Sequence, residues 1–328
     1  MRPRQPIAGI VATAAVVAVS LAFIAAFSWP VLRDWVSYGL VCTIPFAFVV
    51  GAFWHGEHPR RLHVLPQPWR GLAFLAMALT VGAVVALVQW ATIGGRVTPP
   101  TVMVAQCVII SVPISFFLAV VWGGWPFTRI RRPLLGGLAL LVTAYALTDA
   151  VFLLAFDYGT MKATPAYVAE LDPAGWFDAW TVLVAIVTAM AAALVVAHLE
   201  LWPMSRREAL LRQPLLGLCW TAIAAAITAV VMAIGLGPAG MSAPQLLTTV
   251  TAPFLFGSII VLTMLEHAAP PRQWRQPWRG LASAMLAALV GVVLARLYVA
   301  VSGAVSGDIP WGAPDFQGEV WLASALLA

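Results

Sequence analysis

Charge is what this chain has least of. Only 9% of its 328 residues are Asp, Glu, Lys or Arg, against 62% hydrophobic residues and a mean hydropathy of +0.93. A water-soluble fold of this size could not cover its surface with so few polar groups, so soluble globular classes are excluded and membrane remains. Cysteine is scarce too. Cys42, Cys107 and Cys219 fall in three different apolar segments without Cys-x-x-Cys spacing, which excludes a disulfide framework and a thiolate metal centre and leaves them as small membrane-core residues. A Walker loop, a Rossmann fingerprint, a Gly-x-Ser-x-Gly elbow and a His-Glu-x-x-His helix are all missing, so nucleotide, ester and zinc-peptidase chemistry have no carrier. The net charge of +5 comes from arginine clusters between apolar runs rather than from a basic domain, so the expected partner is the lipid bilayer and not nucleic acid.

What is present is a tetrapeptide, Pro-x-x-Gly, in five copies: Pro6 to Gly9, Pro68 to Gly71, Pro133 to Gly136, Pro214 to Gly217 and Pro277 to Gly280. Arg-Gln precedes it at Arg4-Gln5, Arg212-Gln213 and Arg275-Gln276, with Pro66-Gln67 and Arg131-Arg132 as variants. Recurrence in register implies tandem duplication of one supersecondary unit. Each copy opens a long apolar run. Proline suits a first helical turn, where its missing N–H costs nothing, and glycine one turn in lets a neighbouring helix approach closely.

Runs of about 20 apolar residues, long enough to cross hydrocarbon as helices, fall at 7–28, 36–54, 69–91, 102–124, 134–156, 179–201, 215–236, 246–265 and 278–301. The first resembles a secretory signal, but it is too long for one and opens with the same motif as later runs, so it reads as a retained span. The expected fold is all-α: a polytopic transmembrane bundle of nine full spans plus a partial tenth. The apolar stretch from Glu319 reads as the start of that tenth helix, cut short at Ala328 or half-inserted.

Of the 18 cationic residues, 14 lie in the N-terminal tail and the loops after the even spans; Arg33, Arg96 and Lys162 lie in opposite loops and Arg296 within the ninth span. Short loops rich in arginine stay in the cytoplasm, so the expected location is the plasma (inner) membrane with a cytoplasmic N-terminus. The motif prolines are 62, 65, 81 and 63 residues apart, and the loops at 156–180 and 302–321 are both long and acidic, which indicates a four-helix period. The chain therefore divides into a first helix with its outer loop (1–34), a first repeat (35–156), a loop and second repeat (157–301) and a tail that opens a further helix (302–328). An even number of helices per unit makes the repeats parallel.

Three even spans carry Pro-x-x-Phe in mid-run, at Pro45, Pro113 and Pro253. A mid-span proline kinks its helix, and the freed carbonyl must face protein or a wet cavity. Within the fifth span stands Asp149, the intramembrane acid that marks a substrate or ion path, with Arg296 in the ninth span as its expected partner. A second constellation gathers at the ends of even spans: Glu57-His58 with His55 nearby, His198 and Glu200, and Glu266-His267. Histidine with carboxylate suits a transition metal or proton handling. In the outer loop, Thr164 and Pro165 open an expected short helix to Leu171, beside Trp176, Phe177 and Trp180 at the membrane surface.

Three readings of function follow. The first is a transporter or permease for a small solute or ion, its pathway near the kinked helices and Asp149, requiring no cofactor. The second is a membrane-embedded metallo- or redox enzyme using the His/Glu set. A non-catalytic assembly subunit is the third.

Overall fold

A computed structural model describes residues 5–265, 270 and 273–306. Among these, nine helices are long and apolar enough to cross a membrane: α1 Ile7–Ala25, α2 Trp29–Phe53, α3 Trp69–Ala91, α4 Val102–Val121, α5 Pro133–Ala155, α6 Ala179–His198, α7 Leu215–Leu236, α8 Ala243–Thr263 and α9 Trp278–Val305. The chain is a multi-pass membrane protein of all-α class. The extended structure described is one two-residue parallel pair, β1 Phe156–Asp157 with β2 Phe177–Asp178. The expected tenth helix from Glu319 lies outside the described residues.

Span α2 begins earlier than the hydropathy of 36–54 implies. Ser28 is extended, Pro30 sits in the first helical turn, and a π-helical turn at Leu32–Val36 carries Arg33 and Asp34 inside the helix. The Arg33 guanidinium lies 6.0 Å from the centre of the Trp29 ring, so this charge expected in a loop starts a span instead. The expected helix from Pro165 to Leu171 also does not form. Two 3₁₀ turns, Gly159–Met161 and Ala169–Leu171, take its place. Asp172 competes with helix there by accepting hydrogen bonds from the Ala174 and Tyr158 amides and the Tyr167 hydroxyl.

The described residues gather into two compact units, one within 34–186 and 212–221, the other within 1–33, 187–211 and 222–328; α2, α6 and α7 contribute part to each. Burial separates even from odd spans. In their most apolar windows the even spans are 39–61% buried and the odd spans 6–28%. Even helices are thus the more buried, and odd helices expose apolar side chains.

The opening turns of four odd helices dock on the closing turns of even helices. In the first unit, a Cβ on Gly137 of α5 would come 2.5 Å from the Trp54 indole at the end of α2, whose Nε1 donates to Pro133 O at 2.8 Å. A Cβ on Gly217 of α7 would come 2.7 Å from Trp122 at the end of α4, and Trp122 Nε1 donates to Thr221 Oγ1 at 3.2 Å. In the second unit, Gly280 of α9 leaves 2.6 Å for a Cβ above Leu199 at the end of α6, while Gly9 of α1 lies against Met264 O at the end of α8.

The glutamine before the motif adds polar adhesion. Its Oε1 accepts from the glycine N–H at Gln5–Gly9 (3.2 Å), Gln213–Gly217 (3.1 Å) and Gln276–Gly280 (3.0 Å). Gln5 Nε2 also donates to Met264 O and Gln213 Nε2 to Val121 O, both at 3.1 Å. One side chain therefore serves an orphan donor of an opening helix and an orphan acceptor of a closing one. Span α3 differs. Gly71 is exposed, and a Cβ there meets only its own Gln67, at 3.4 Å.

The buried prolines 45 and 113 are each followed by a π-helical turn, Val49–Phe53 and Phe117–Val121, so the distortion that proline starts is continued to the helix end. In α8 the π turn, Leu247–Thr251, precedes Pro253. There Gly257 fits against Ala287 O and Gly291 against Pro253 O, bringing the backbones of α8 and α9 into contact.

These contacts separate the glycines by role. Gly217→Leu and Gly280→Leu overpack a docked turn and should each cost about 1–3 kcal/mol, read as a lower melting temperature of the solubilised protein. Gly71→Leu should change stability by no more than about 0.5 kcal/mol. Equal losses at all three positions would contradict the distinction.

Candidate functional site

In the first unit, polar side chains from four spans converge in an otherwise apolar region. Asp149 comes from the second half of α5 and Tyr145 from one turn earlier on the same face. Gln89 projects from the end of α3, Cys107 from the first half of α4, and Tyr38 and Cys42 from α2. Gln89 Nε2 donates to Asp149 Oδ1 at 2.9 Å, and Cys107 Sγ approaches the same oxygen at 3.7 Å. Tyr145 donates its hydroxyl to Cys42 O at 3.2 Å, and Tyr38 to Ala86 O at 2.7 Å. Gln89 is only 3% exposed, and its Oε1 is buried without a hydrogen-bond partner. Asp149 makes no ion pair among the described residues; its hydrogen-bond partners are the neutral Gln89 and Cys107. A groove of about 500 Å³ runs between α3 and α5 past these groups, from Thr80 and Leu138 to Gln89 and Asp149.

Such an arrangement can bind a cation or exchange a proton. The carboxylate is oriented by two donors on one oxygen, and the groove gives it access. Arg296, its expected partner, belongs to the other unit and is exposed on α9.

The His/Glu residues are placed in several settings. His55 is exposed at φ 51° in the turn that ends α2, and Glu57 beyond it is exposed. His58 lines a surface hollow with Arg60, Arg131 and Arg132, a cationic setting unfavourable to a metal cation. His198 is buried, its Nδ1 2.8 Å from Ser283 Oγ of α9, and Glu200 pairs with Arg279 at 2.9 Å. Both therefore join the end of α6 to the start of α9, the same connection that Gly280 makes by packing. Glu266 and His267 lie outside the described residues. Among the described residues, no three His, Cys, Asp or Glu side chains gather to hold a metal.

The groups that hydropathy hides are Gln89, Cys107 and Tyr145. The available signal was glutamine inside an apolar run, which occurs at Gln89 and again at Gln106. Gln106, 1% exposed on α4, accepts the Tyr158 hydroxyl at 2.9 Å. Tyr158 is itself fully buried beside Phe152 and Phe156, so the loop after α5 is anchored on the same unit as Asp149.

Compared with known proteins, the chain matches no family model, and neither a curated protein nor a solved structure is significantly similar to it.

Burial drives the Tyr158 phenol well above the ordinary tyrosine value, with nearby Cys107 and Asp172 adding to the shift. The neutral form is favoured in the folded state, so its stabilisation is complete below about pH 10 and is lost as pH rises beyond the unfolded value. The wild type should therefore lose thermal stability above pH 10 more steeply than Tyr158→Phe. At neutral pH, Tyr158→Phe should cost about 1–3 kcal/mol by leaving Gln106 without its donor. Identical alkaline profiles for the two proteins would contradict the assignment.

Proposed function

We propose that this protein is a transporter or permease that carries a small solute or ion, with Asp149 as its coupling group. The observation that carries the reading is an intramembrane carboxylate, hydrogen-bonded to Gln89 and Cys107, at the side of a groove of about 500 Å³. A carboxylate within an apolar span is costly unless it works on an ion or proton path. Pro45 and Pro113 supply interruptions in α2 and α4 of the same unit, where freed backbone carbonyls can serve that path. In the other unit, Pro253 and Arg296 are the corresponding pathway residues of the proposal.

The arginine distribution supports a cytoplasmic N-terminus in a plasma (inner) membrane. On that reading the opening turns of all odd helices lie on the cytoplasmic side. The recurrent docking of odd openings on even closings supports descent from duplicated hairpins, which the 146- and 144-residue spacings Pro68 to Pro214 and Pro133 to Pro277 group into parallel four-helix repeats. No cofactor enters this mechanism.

The direct test is flux through purified protein in proteoliposomes, with a trapped pH dye reporting proton movement under an imposed pH or potassium-diffusion potential. Wild type should show flux above empty vesicles, and Asp149→Asn should reduce it at least tenfold while eluting as the same monodisperse species. Wild-type flux in Asp149→Asn would sink the coupling role.

A further inference from the structure

The groove beside Asp149 has a chemical polarity that narrows its ligand. Its walls include Val84 and Val88 of α3 and Leu138 and Val142 of α5, each 53–60% exposed. These side chains belong to the outward faces of apolar spans, so in a bilayer the groove opens toward hydrocarbon rather than water. Along α5 it extends from Leu138 to Asp149, about 16 Å at the helical rise. That is room for a hydrocarbon chain lying along the helices.

Its polar groups present acceptors. The donors that border it are already engaged within the protein: Gln89 Nε2 and the Cys107 thiol with Asp149, the Tyr145 hydroxyl with Cys42 O, and the Thr80 hydroxyl with Ala76 O at 2.8 Å. What remains is the second oxygen of the Asp149 carboxylate and Gln89 Oε1, the buried acceptor without a partner. An anionic or acceptor-only head would meet repulsion and nothing to bond. A protonated amine offers three N–H donors and the charge that the unpaired carboxylate lacks.

We propose that the groove takes a cationic amphiphile laterally from the bilayer, its ammonium head on Asp149 and Gln89 and its hydrocarbon chain between α3 and α5. This rests on the same groove as the transport reading, but it concerns what the groove binds, and it holds or fails independently of flux.

The test is saturable binding of tritiated dodecylamine to the full chain in phosphatidylcholine nanodiscs. Wild type should bind it, with unlabelled dodecylamine competing and neither dodecanoate nor ethylamine competing at a hundredfold higher concentration. Asp149→Asn should weaken binding at least tenfold, and so should Val142→Trp, which fills the groove from an exposed position and leaves the polar cluster intact. Asp149→Glu should retain binding. Competition by ethylamine as strong as by dodecylamine would overturn the amphiphile claim, as would wild-type binding in Asp149→Asn and Val142→Trp. Asp149-dependent proton flux without dodecylamine binding would overturn this inference and leave transport standing. Saturable, Asp149-dependent binding with no flux would do the reverse.

Discussion

Close approach at glycine, where an odd helix opens against the closing turn of an even one, is the interaction on which the rest of the structure depends. Between helices in lipid there is no hydrophobic drive to associate, because a tail is as apolar as leucine, and packing must supply the energy. Gly9, Gly137, Gly217 and Gly280 let backbones or indoles come where a Cβ would intrude. Helix ends bring a second requirement, since each leaves unpaired N–H or C=O groups that cannot be abandoned in hydrocarbon. Gln5 and Gln213 answer it by bridging the N–H of their own helix and the terminal carbonyl of the other. The positive end of one helix dipole thereby meets the negative end of another. At α6 and α9 the same connection is made by ionic and hydroxyl groups, through Glu200–Arg279 and His198–Ser283.

This docking fixes which helices are inside. Even spans, held at their closing turns and in two cases distorted by Pro45 and Pro113, are the more buried; odd spans expose leucine and valine. Asp149 matters because it stands on an outer-type helix yet turns toward α3 and α4. Its carboxylate reaches the buried Gln89 and Cys107, and exposed valines and leucine wall the groove beside it. The proposed amphiphile and the proposed coupling ion would both reach the acid along this groove.

Much of the architecture was legible because membrane spans announce themselves by length and lack of charge. The motif marked where α3, α5, α7 and α9 begin, since proline at a first turn and glycine one turn later are local requirements. The start of α2 was hidden because Arg33 and Asp34 lower its hydropathy, although Pro30 opens a helix there. The loop helix at 165–171 failed because Asp172 can satisfy three donors in a non-helical turn, an option no periodicity reveals. Asp149 stood out as a charge in an apolar run, but its partners did not. Gln89 and Cys107 lie far from it in sequence and on different helices, and only packing brings them to it. His198 and Glu200 had the right chemistry for a metal ligand set, yet side-chain direction gives them to Ser283 and Arg279 instead.

Thiol cross-linking of the docked turns tests the docking most directly. In a chain whose Cys42, Cys107 and Cys219 are replaced by alanine, the pairs Trp122→Cys with Thr221→Cys and Glu200→Cys with Arg279→Cys, whose native side chains meet at their tips, should each be bridged in native membranes by a short bis-maleimide, which supplies the reach that a disulfide lacks. The result would appear as a mobility shift that is lost when either cysteine of a pair is missing. Absence of cross-linking in both pairs, in protein that is otherwise folded and inserted, would contradict the docking of odd openings on even closings.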